Sequence, residues 1–236
     1  PSDFDNVNLN MIEKARYLPH RILYTLEVSR NSLKLRNFSP TLKAYYLIVF
    51  LAFTGFLTFY VALPIFLYKE VGLANADVFI VYLASSVASA LTYGWMGRTI
   101  GRKGGKTVQA VCFTARVLIF PSFFLVTMID MPSSVLFASL LVLHAGAGLC
   151  WAGLSVAGNA IVGDLAPKEF RTQSLGLYNS IQGIATILGS LIGGFVAAAF
   201  GYGFVFALAS GFIVIALALL LVIDLNKGKI EDATEA

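Results

Sequence analysis

The stretch GFVFALASGFIVIALALLLVI, residues 203–223, contains no charged side chain, and Ser210 is its one hydroxyl-bearing residue. A helix needs about 20 apolar residues to cross the hydrocarbon core of a bilayer. The run is also continuous, whereas the strands of a membrane β-barrel carry a polar residue at every second position. These residues therefore predict a transmembrane helix.

Similar apolar runs occur through most of the chain, which is 58% hydrophobic and only 13% charged. A soluble domain carries about a quarter charged residues, so this chain cannot cover its surface for water. The gaps between charged residues and the break at residues 201–203 predict an all-α membrane protein with six transmembrane helices. The predicted spans are 42–67, 75–96, 107–129, 133–162, 173–199 and 203–223.

Basic residues outside the spans are strongly biased toward one side of the membrane. Fifteen lysines and arginines fall on the side of the two termini, whereas the other side holds Lys69 alone. Because basic loops stay in the cytoplasm, both ends are predicted to be cytoplasmic in a multi-pass protein of the plasma membrane. The net charge of +4 then reflects topology, and no nucleic-acid partner is expected.

The chain divides into three segments by composition. Residues 1–40 are predicted to be a cytoplasmic linker, in which residues 21–35 mix apolar and basic side chains. That mixture fits an amphipathic helix on the membrane surface and a solvated linker about equally well. Residues 41–224 hold the six spans, and residues 225–236 form a short cytoplasmic tail.

Polar and small side chains align on one face of four spans, at steps of three or four residues. Such a face indicates a solute pathway, because polar groups are costly inside a bilayer, although Ser and Thr are also common where membrane helices pack. The third and sixth spans lack it and are predicted to shield the others, so the arrangement recurs in two groups of three, as in an internal repeat. The predicted substrate-pathway residues are Thr54, Thr58, Tyr60, Tyr82, Ser86, Ser89, His144, Trp151, Ser155, Asn159, Gln182 and Thr186.

Arg116 lies inside the third predicted span, and no Asp or Glu lies deep within any of the six. Its guanidinium is predicted to extend toward the cytoplasmic headgroups or to pair with Asp164 or Glu169, in a structural role rather than in substrate binding. Proton coupling usually needs a buried acid or histidine, and His144 is the available candidate. Either the coupling residues lie elsewhere in the molecule, or the transport is not coupled to protons.

Cys112 and Cys150 both fall inside spans, and neither has a Cys or His at ligand spacing. They are predicted to be small buried hydrophobic residues. The sequence therefore predicts no metal site and no cofactor.

The segment GWMGRTIGRK, residues 94–103, follows the second span and is predicted to turn tightly at its glycines, with its cations at the cytoplasmic face. It resembles the signature loop that follows the second helix of each half in the major facilitator superfamily. Arg98 departs from that pattern, because the family usually has Asp there. The matching residues, predicted to form a gating loop, are Gly94, Gly101, Arg102 and Lys103.

Two further segments are similar to the same family. DLAPKEFR, residues 164–171, resembles the short loop between the fourth and fifth helices of a half. The glycines between residues 183 and 194 resemble those of the helix that follows, although Ser190 stands where proline often occurs. The resemblance covers about residues 41–224.

The resemblance implies a fold of twelve helices in two halves that give alternating access to a central site. In that fold the first, second, fourth and fifth helices of each half line the cavity, in agreement with the polar faces. Six spans behind a basic leader that starts with Pro1 predict the carboxyl-terminal half of such a protein. Its partners would then be the amino-terminal six-helix half, the lipid bilayer and a small solute.

The implied function is that of a secondary active transporter half, which moves a small solute by alternating access without chemistry on it. A self-dimerising six-helix transporter and a channel are alternatives. An intramembrane enzyme would use His144 and Ser155, which lie on one helix face but about 16 Å apart. That separation is far beyond hydrogen-bond reach, so no enzyme activity is expected.

Overall fold

A computed structural model describes residues 38–225 as a bundle of long α-helices joined by short turns. Each of six helices in this range is long and apolar enough to cross a membrane, which confirms the predicted all-α membrane fold. A short 3₁₀ helix, Lys168–Phe170, precedes the fifth of them. The six are α1 (Pro40–Lys69), α2 (Asn75–Lys103), α3 (Gly105–Thr127), α4 (Ser133–Leu165), α5 (Arg171–Phe200) and α6 (Tyr202–Val222).

The helices α1–α6 all belong to one compact unit, which begins at Ser39. The predicted linker with its amphipathic helix, and nearly all of the predicted tail, lie in residues 1–37 and 226–236, outside the described residues.

Two of the connections between helices consist of a single glycine. Gly104 joins α2 to α3, and Gly201 joins α5 to α6. Both have a φ angle of +81°, a left-handed conformation that glycine adopts readily because it lacks a Cβ atom. The two joints occupy equivalent places in the first and second sets of three helices, which indicates an internal repeat.

The packing between helices repeats in the same way. Helix α1 packs mainly against α5 and α6, whereas α4 packs mainly against α2 and α3. Exchanging α1 with α4, α2 with α5 and α3 with α6 converts each of these contacts into another and leaves the α3–α6 contact unchanged. The six helices therefore form two three-helix repeats, as predicted.

Glycines bring the paired helices together backbone to backbone. A Cβ atom on Gly148 of α4 would overlap the Ser85 carbonyl oxygen of α2 and lie 2.7 Å from its carbonyl carbon. At the equivalent crossing of α5 with α1, a Cβ atom on Gly193 would lie 2.5 Å from the Thr58 carbonyl oxygen. Small residues commonly provide such close approach between membrane helices, where packing replaces the hydrophobic effect.

Phenylalanine side chains fill the space between α1, α3 and α6. The rings of Phe59 and Phe120 stack with their centroids 3.8 Å apart, and Phe206 of α6 lies 4.9 Å from Phe59. All three side chains are fully buried. The two predicted outer helices are thus joined to α1 by an aromatic core.

The segment predicted to be a gating loop is helical. Helix α2 continues to Lys103, and Gly104 makes the turn into α3. The predicted turn at Gly94 and Gly101 is wrong, because a glycine inside a helix costs only about 1 kcal/mol and the flanking turns outweigh it. Arg102 and Lys103 lie exposed in the last turn of α2, where cations complement the helix dipole. A gating role for Gly94, Gly101, Arg102 and Lys103 stays a prediction.

Candidate functional site

The two threonines predicted on the pathway side of α1 are buried where α1 crosses α5. Thr58 donates to the carbonyl oxygens of Thr54, at 2.8 Å, and Gly189, at 3.2 Å. Thr54 in turn donates to the Phe50 carbonyl oxygen at 2.8 Å. Both hydroxyl groups thus bind helix carbonyls at a packing contact, and their place on a solute pathway stays a prediction.

The three pathway residues predicted on α2 also donate to helix carbonyls. The Tyr82 hydroxyl donates across to the Tyr60 carbonyl oxygen of α1 at 3.3 Å. Ser86 is exposed and donates to the Tyr82 carbonyl oxygen, and Ser89 is buried and donates to that of Ser86. Tyr82 therefore links α2 to α1, while the two serines bind within their own helix.

Four pathway residues lie on the accessible surface of α4 and α5. Asn159 is exposed and donates from Nδ2 to the Ser155 carbonyl oxygen at 2.8 Å. Ser155, Gln182 and Thr186 are partly exposed. These side chains remain open to a solute or to another protein surface.

Tyr82 and the three remaining predicted residues meet around Arg116. The His144 ring lies 4.7 Å from the Tyr82 ring and 6.0 Å from the Tyr60 ring. The Arg116 Cζ atom lies 5.6 Å from the Tyr60 ring centroid and 5.7 Å from that of Trp151. We call Tyr60, Tyr82, Arg116, His144 and Trp151 the central cluster.

Arg116 lies eleven residues from either end of α3, and its side chain is fully buried. Its Nη2 atom donates to the Ala147 carbonyl oxygen of α4 at 3.0 Å. The Cζ atom lies 4.3 Å from the Phe56 ring centroid and 5.7 Å from that of Phe120. Within residues 38–225, the Nε and Nη1 atoms have no hydrogen-bond partner. The guanidinium is thus a buried cation in an aromatic cage, with unused donors.

Burial of this cation is only partly compensated within the described bundle. Taking an ion out of water costs several kcal/mol, and a cation–π contact away from water contributes about 2 kcal/mol. The acidic residues in α1–α6 are Asp77, near the start of α2, and Asp164, near the end of α4. Both carboxylates lie far from the middle of the bundle, where Arg116 is buried. Most of the free-energy cost of burying the guanidinium is therefore not offset by an anionic side chain of α1–α6.

The two orientations predicted for Arg116 are both wrong. It binds at the level of Ala147, which precedes Asp164 by seventeen residues, or about 26 Å along α4. Glu169 lies further along the chain, and a fully buried side chain does not reach the headgroups. The inward orientation is favoured because α1 and α4 supply aromatic rings and a carbonyl oxygen at this depth.

His144 is held in one tautomer by its neighbour. Its Nδ1 atom lies 2.9 Å from the Val81 carbonyl oxygen of α2. A carbonyl oxygen only accepts, so Nδ1 carries the proton and Nε2 is the acceptor of the neutral ring. Nε2 is buried and has no partner among residues 38–225. His144 Nε2 is thus a third unused polar atom in the central cluster, beside Nε and Nη1 of Arg116.

Arg116 is the residue that the predicted pathway left out, although a signal for it was present. An ionisable residue midway along a transmembrane helix is expensive and usually faces the interior for a functional reason. Its position on a helix with few other polar residues favoured a structural role instead. The partners that hold it come from α1 and α4, and pairing between helices is not visible in a single sequence.

The described part of the chain offers no evident metal centre. Within residues 38–225, no group of three or more His, Cys, Asp or Glu side chains could hold an ion. Cys112 and Cys150 are buried free thiols. The expectation that no cofactor is needed stays a prediction.

Comparison with known protein families gives a match. Residues 45–235 match the sequence model of the Major Facilitator Superfamily, over a range that includes all of α2–α6 and most of α1. No curated protein matches the chain in a sequence search.

Proposed function

The chain belongs to the Major Facilitator Superfamily of membrane transporters, and from this premise we propose that it is the carboxyl-terminal half of a secondary active transporter for a small solute. Six helices that precede Pro1 in the same polypeptide form the other half. The two halves expose a central cavity alternately to each side of the membrane.

The symmetric packing of α1–α6 is the observation that supports this proposal. The α1–α5 and α2–α4 crossings are backbone contacts at Gly193 and Gly148, which leave little room for one helix to slide on its partner. Closely packed interfaces change between discrete arrangements and deform little. The bundle is therefore suited to move as one body against a second half.

The pathway in this proposal runs along the accessible faces of α1, α2, α4 and α5. The central cluster lies midway along the helices. Ser155 and Asn159 lie toward the carboxyl end of α4, and Gln182 and Thr186 lie near the middle of α5. All four are at least partly exposed in the described bundle.

The proposed topology places both ends of the chain in the cytoplasm and the protein in the plasma membrane. An even number of spans puts the start of α1 and the end of α6 on the same side of the membrane. The exposed Arg102 and Lys103 at the end of α2 share that side, as expected for the cytoplasmic face.

Uptake into proteoliposomes tests the proposed function. The complete reading frame is expected to encode six more spans before Pro1, and its purified product is expected to take up at least one radiolabelled solute with saturation. A cysteine at Asn159 is expected to react with an impermeant maleimide at a rate that changes when the transported solute is added.

Three results would contradict the proposal. A start codon directly before Pro1, with transport by the chain alone, would indicate a self-dimerising transporter. Single-channel currents that do not saturate at millimolar solute would indicate a channel. The absence of flux for every solute tested would remove the transport function itself.

A further inference from the structure

The unused donors of Arg116 point to the chemical class of the solute. We propose that Arg116 binds an oxyanion, so that the transported solute carries a carboxylate or a phosphate group. This inference rests on the proposed transport function, because it assigns the charge of the transported solute to a residue of the central cluster.

Arg116 has more hydrogen-bond donors than the described bundle uses. A guanidinium has five N–H donors in a planar fork and no acceptor. One nitrogen is used on the Ala147 carbonyl oxygen, while Nε and Nη1 have no partner within residues 38–225. Buried polar groups are nearly always hydrogen-bonded, so unsatisfied donors on a fully buried cation indicate a partner still to be supplied.

The chemistry of that partner follows from the donor. The fork geometry of a guanidinium matches carboxylate and phosphate oxygens, and charge-assisted hydrogen bonds of this kind are about twice as strong as neutral ones. The acidic residues of α1–α6, Asp77 and Asp164, lie near helix ends, away from Arg116. Within the described bundle, an anion from outside is therefore the matching partner, and a cationic solute would be repelled.

The cage also shows the side from which an anion arrives. Phe56 and Phe120 are fully buried behind the guanidinium, whereas Tyr60 and Trp151 are partly exposed. Tyr60 lies on α1 and Trp151 on α4, two of the four helices that line the proposed pathway. An oxyanion thus reaches Arg116 between these rings once one of them rotates. The phenol hydroxyl and the indole N–H of the same two rings are additional donors at that entrance.

Uptake of probes of different charge tests this inference. The reading frame that contains the chain is reconstituted, and uptake is measured for radiolabelled lactate, malate and inorganic phosphate. Neutral glucose and ribose, which carry no carboxylate or phosphate, and cationic putrescine are measured at the same ionic strength. Saturable uptake is expected for one or more of the three anions and not for glucose or putrescine.

Variants then assign the charge preference to Arg116. R116Q is expected to weaken the apparent affinity for the anion about ten- to a hundredfold, since a hydrogen bond to a charged group is lost. R116K keeps the charge but not the fork, so a smaller loss is expected. R98Q removes an exposed arginine near the end of α2 and serves as the matched control, with affinity unchanged.

A direct binding signal supports the uptake result. The chain has two tryptophans, of which Trp95 is exposed and Trp151 lies over Arg116. With Trp151 as the sole tryptophan, lactate, malate or phosphate is expected to change its fluorescence with saturation, and R116Q is expected to abolish the change. The wild-type preference between anions and neutral probes is measured without any variant, so poor folding of R116Q leaves the test intact.

The outcomes separate the inference from the proposed function. Uptake of glucose, ribose or putrescine with none of the three anions overturns the oxyanion site and leaves the transport function standing. Uptake of an anion with equal affinity in R116Q also overturns the site. Failure of all six probes counts against the transport function.

Discussion

Replacement of Gly148 by alanine is the sharpest test of the packing that makes this bundle rigid. The new Cβ atom would lie 2.8 Å from the Ser85 Cα atom and 2.7 Å from its carbonyl carbon. Ordinary contact begins at 3.4 Å, so α2 and α4 must separate by at least 0.7 Å at this point. Overpacking of this kind costs about 1–3 kcal/mol, and the upper part of that range is expected because backbone atoms cannot rotate away.

The assay is unfolding of the purified protein in mixed micelles by increasing SDS, followed by tryptophan fluorescence. Gly211→Ala is the matched control, because it adds the same methyl group inside α6, where nothing lies within 4 Å of the new Cβ atom. Alanine is a better helix former than glycine, so this control is expected to be neutral or slightly stabilising. Gly148→Ala is expected to lower the free energy of unfolding by about 2–3 kcal/mol relative to it.

Two results would refute the reasoning. One is a free energy of unfolding for Gly148→Ala within about 0.5 kcal/mol of the control, the usual size of a surface effect. The other is recovery of stability in the double variant Ser85→Gly/Gly148→Ala. The collision involves the backbone of Ser85, so removal of its side chain is expected to give no recovery.

Three further predictions concern buried polar contacts and topology. Tyr45→Phe is expected to destabilise the protein by about 1–3 kcal/mol, because the buried Gln109 Oε1 atom loses the hydroxyl that donates to it at 3.0 Å. In the same unfolding assay, the double variant Tyr45→Phe/Gln109→Leu is expected to recover part of that loss. Lys106→Met is expected to lower the free energy of unfolding by about 1 kcal/mol, since the Lys106 Nζ atom donates to two carbonyl oxygens at the end of α6, at 3.1 and 2.6 Å. Equal thermal unfolding of the variant and the wild type would contradict that role. In a cysteine-free background, Asp130→Cys is expected to react with an impermeant maleimide in intact cells and Lys103→Cys only after permeabilisation, and the reverse pattern would invert the proposed topology.

The spans were predictable because the bilayer imposes a simple rule on composition. A continuous apolar run of sufficient length must become a helix that satisfies its own backbone hydrogen bonds. The rule constrains the apolar core of each helix and not its ends. Helix α2 therefore continues through Gly94 and Gly101 to Lys103, because its last turns leave the hydrocarbon and follow local helix preferences.

The candidate site was predictable only in part, because a polar residue in a membrane helix has more than one use. Tyr60, Tyr82, His144 and Trp151 do converge, whereas Thr58 binds the Gly189 carbonyl oxygen at a helix crossing. Both uses give the same spacing of three or four residues along a helix. The two are distinguished by what lies on the neighbouring helix, and that information comes from the packing of all six helices.

The cage around Arg116 also connects solute binding to conformational change in the proposed mechanism. In the described structure Tyr60 and Trp151 cover the guanidinium, and the cation–π contacts compensate part of its buried charge. An oxyanion binds only when this cover opens, so it has different affinities for the covered and uncovered states. A ligand shifts a conformational equilibrium by that difference in affinity. Because no acidic side chain of α1–α6 pairs with Arg116, the bound solute supplies the anion, and its binding stabilises the uncovered state.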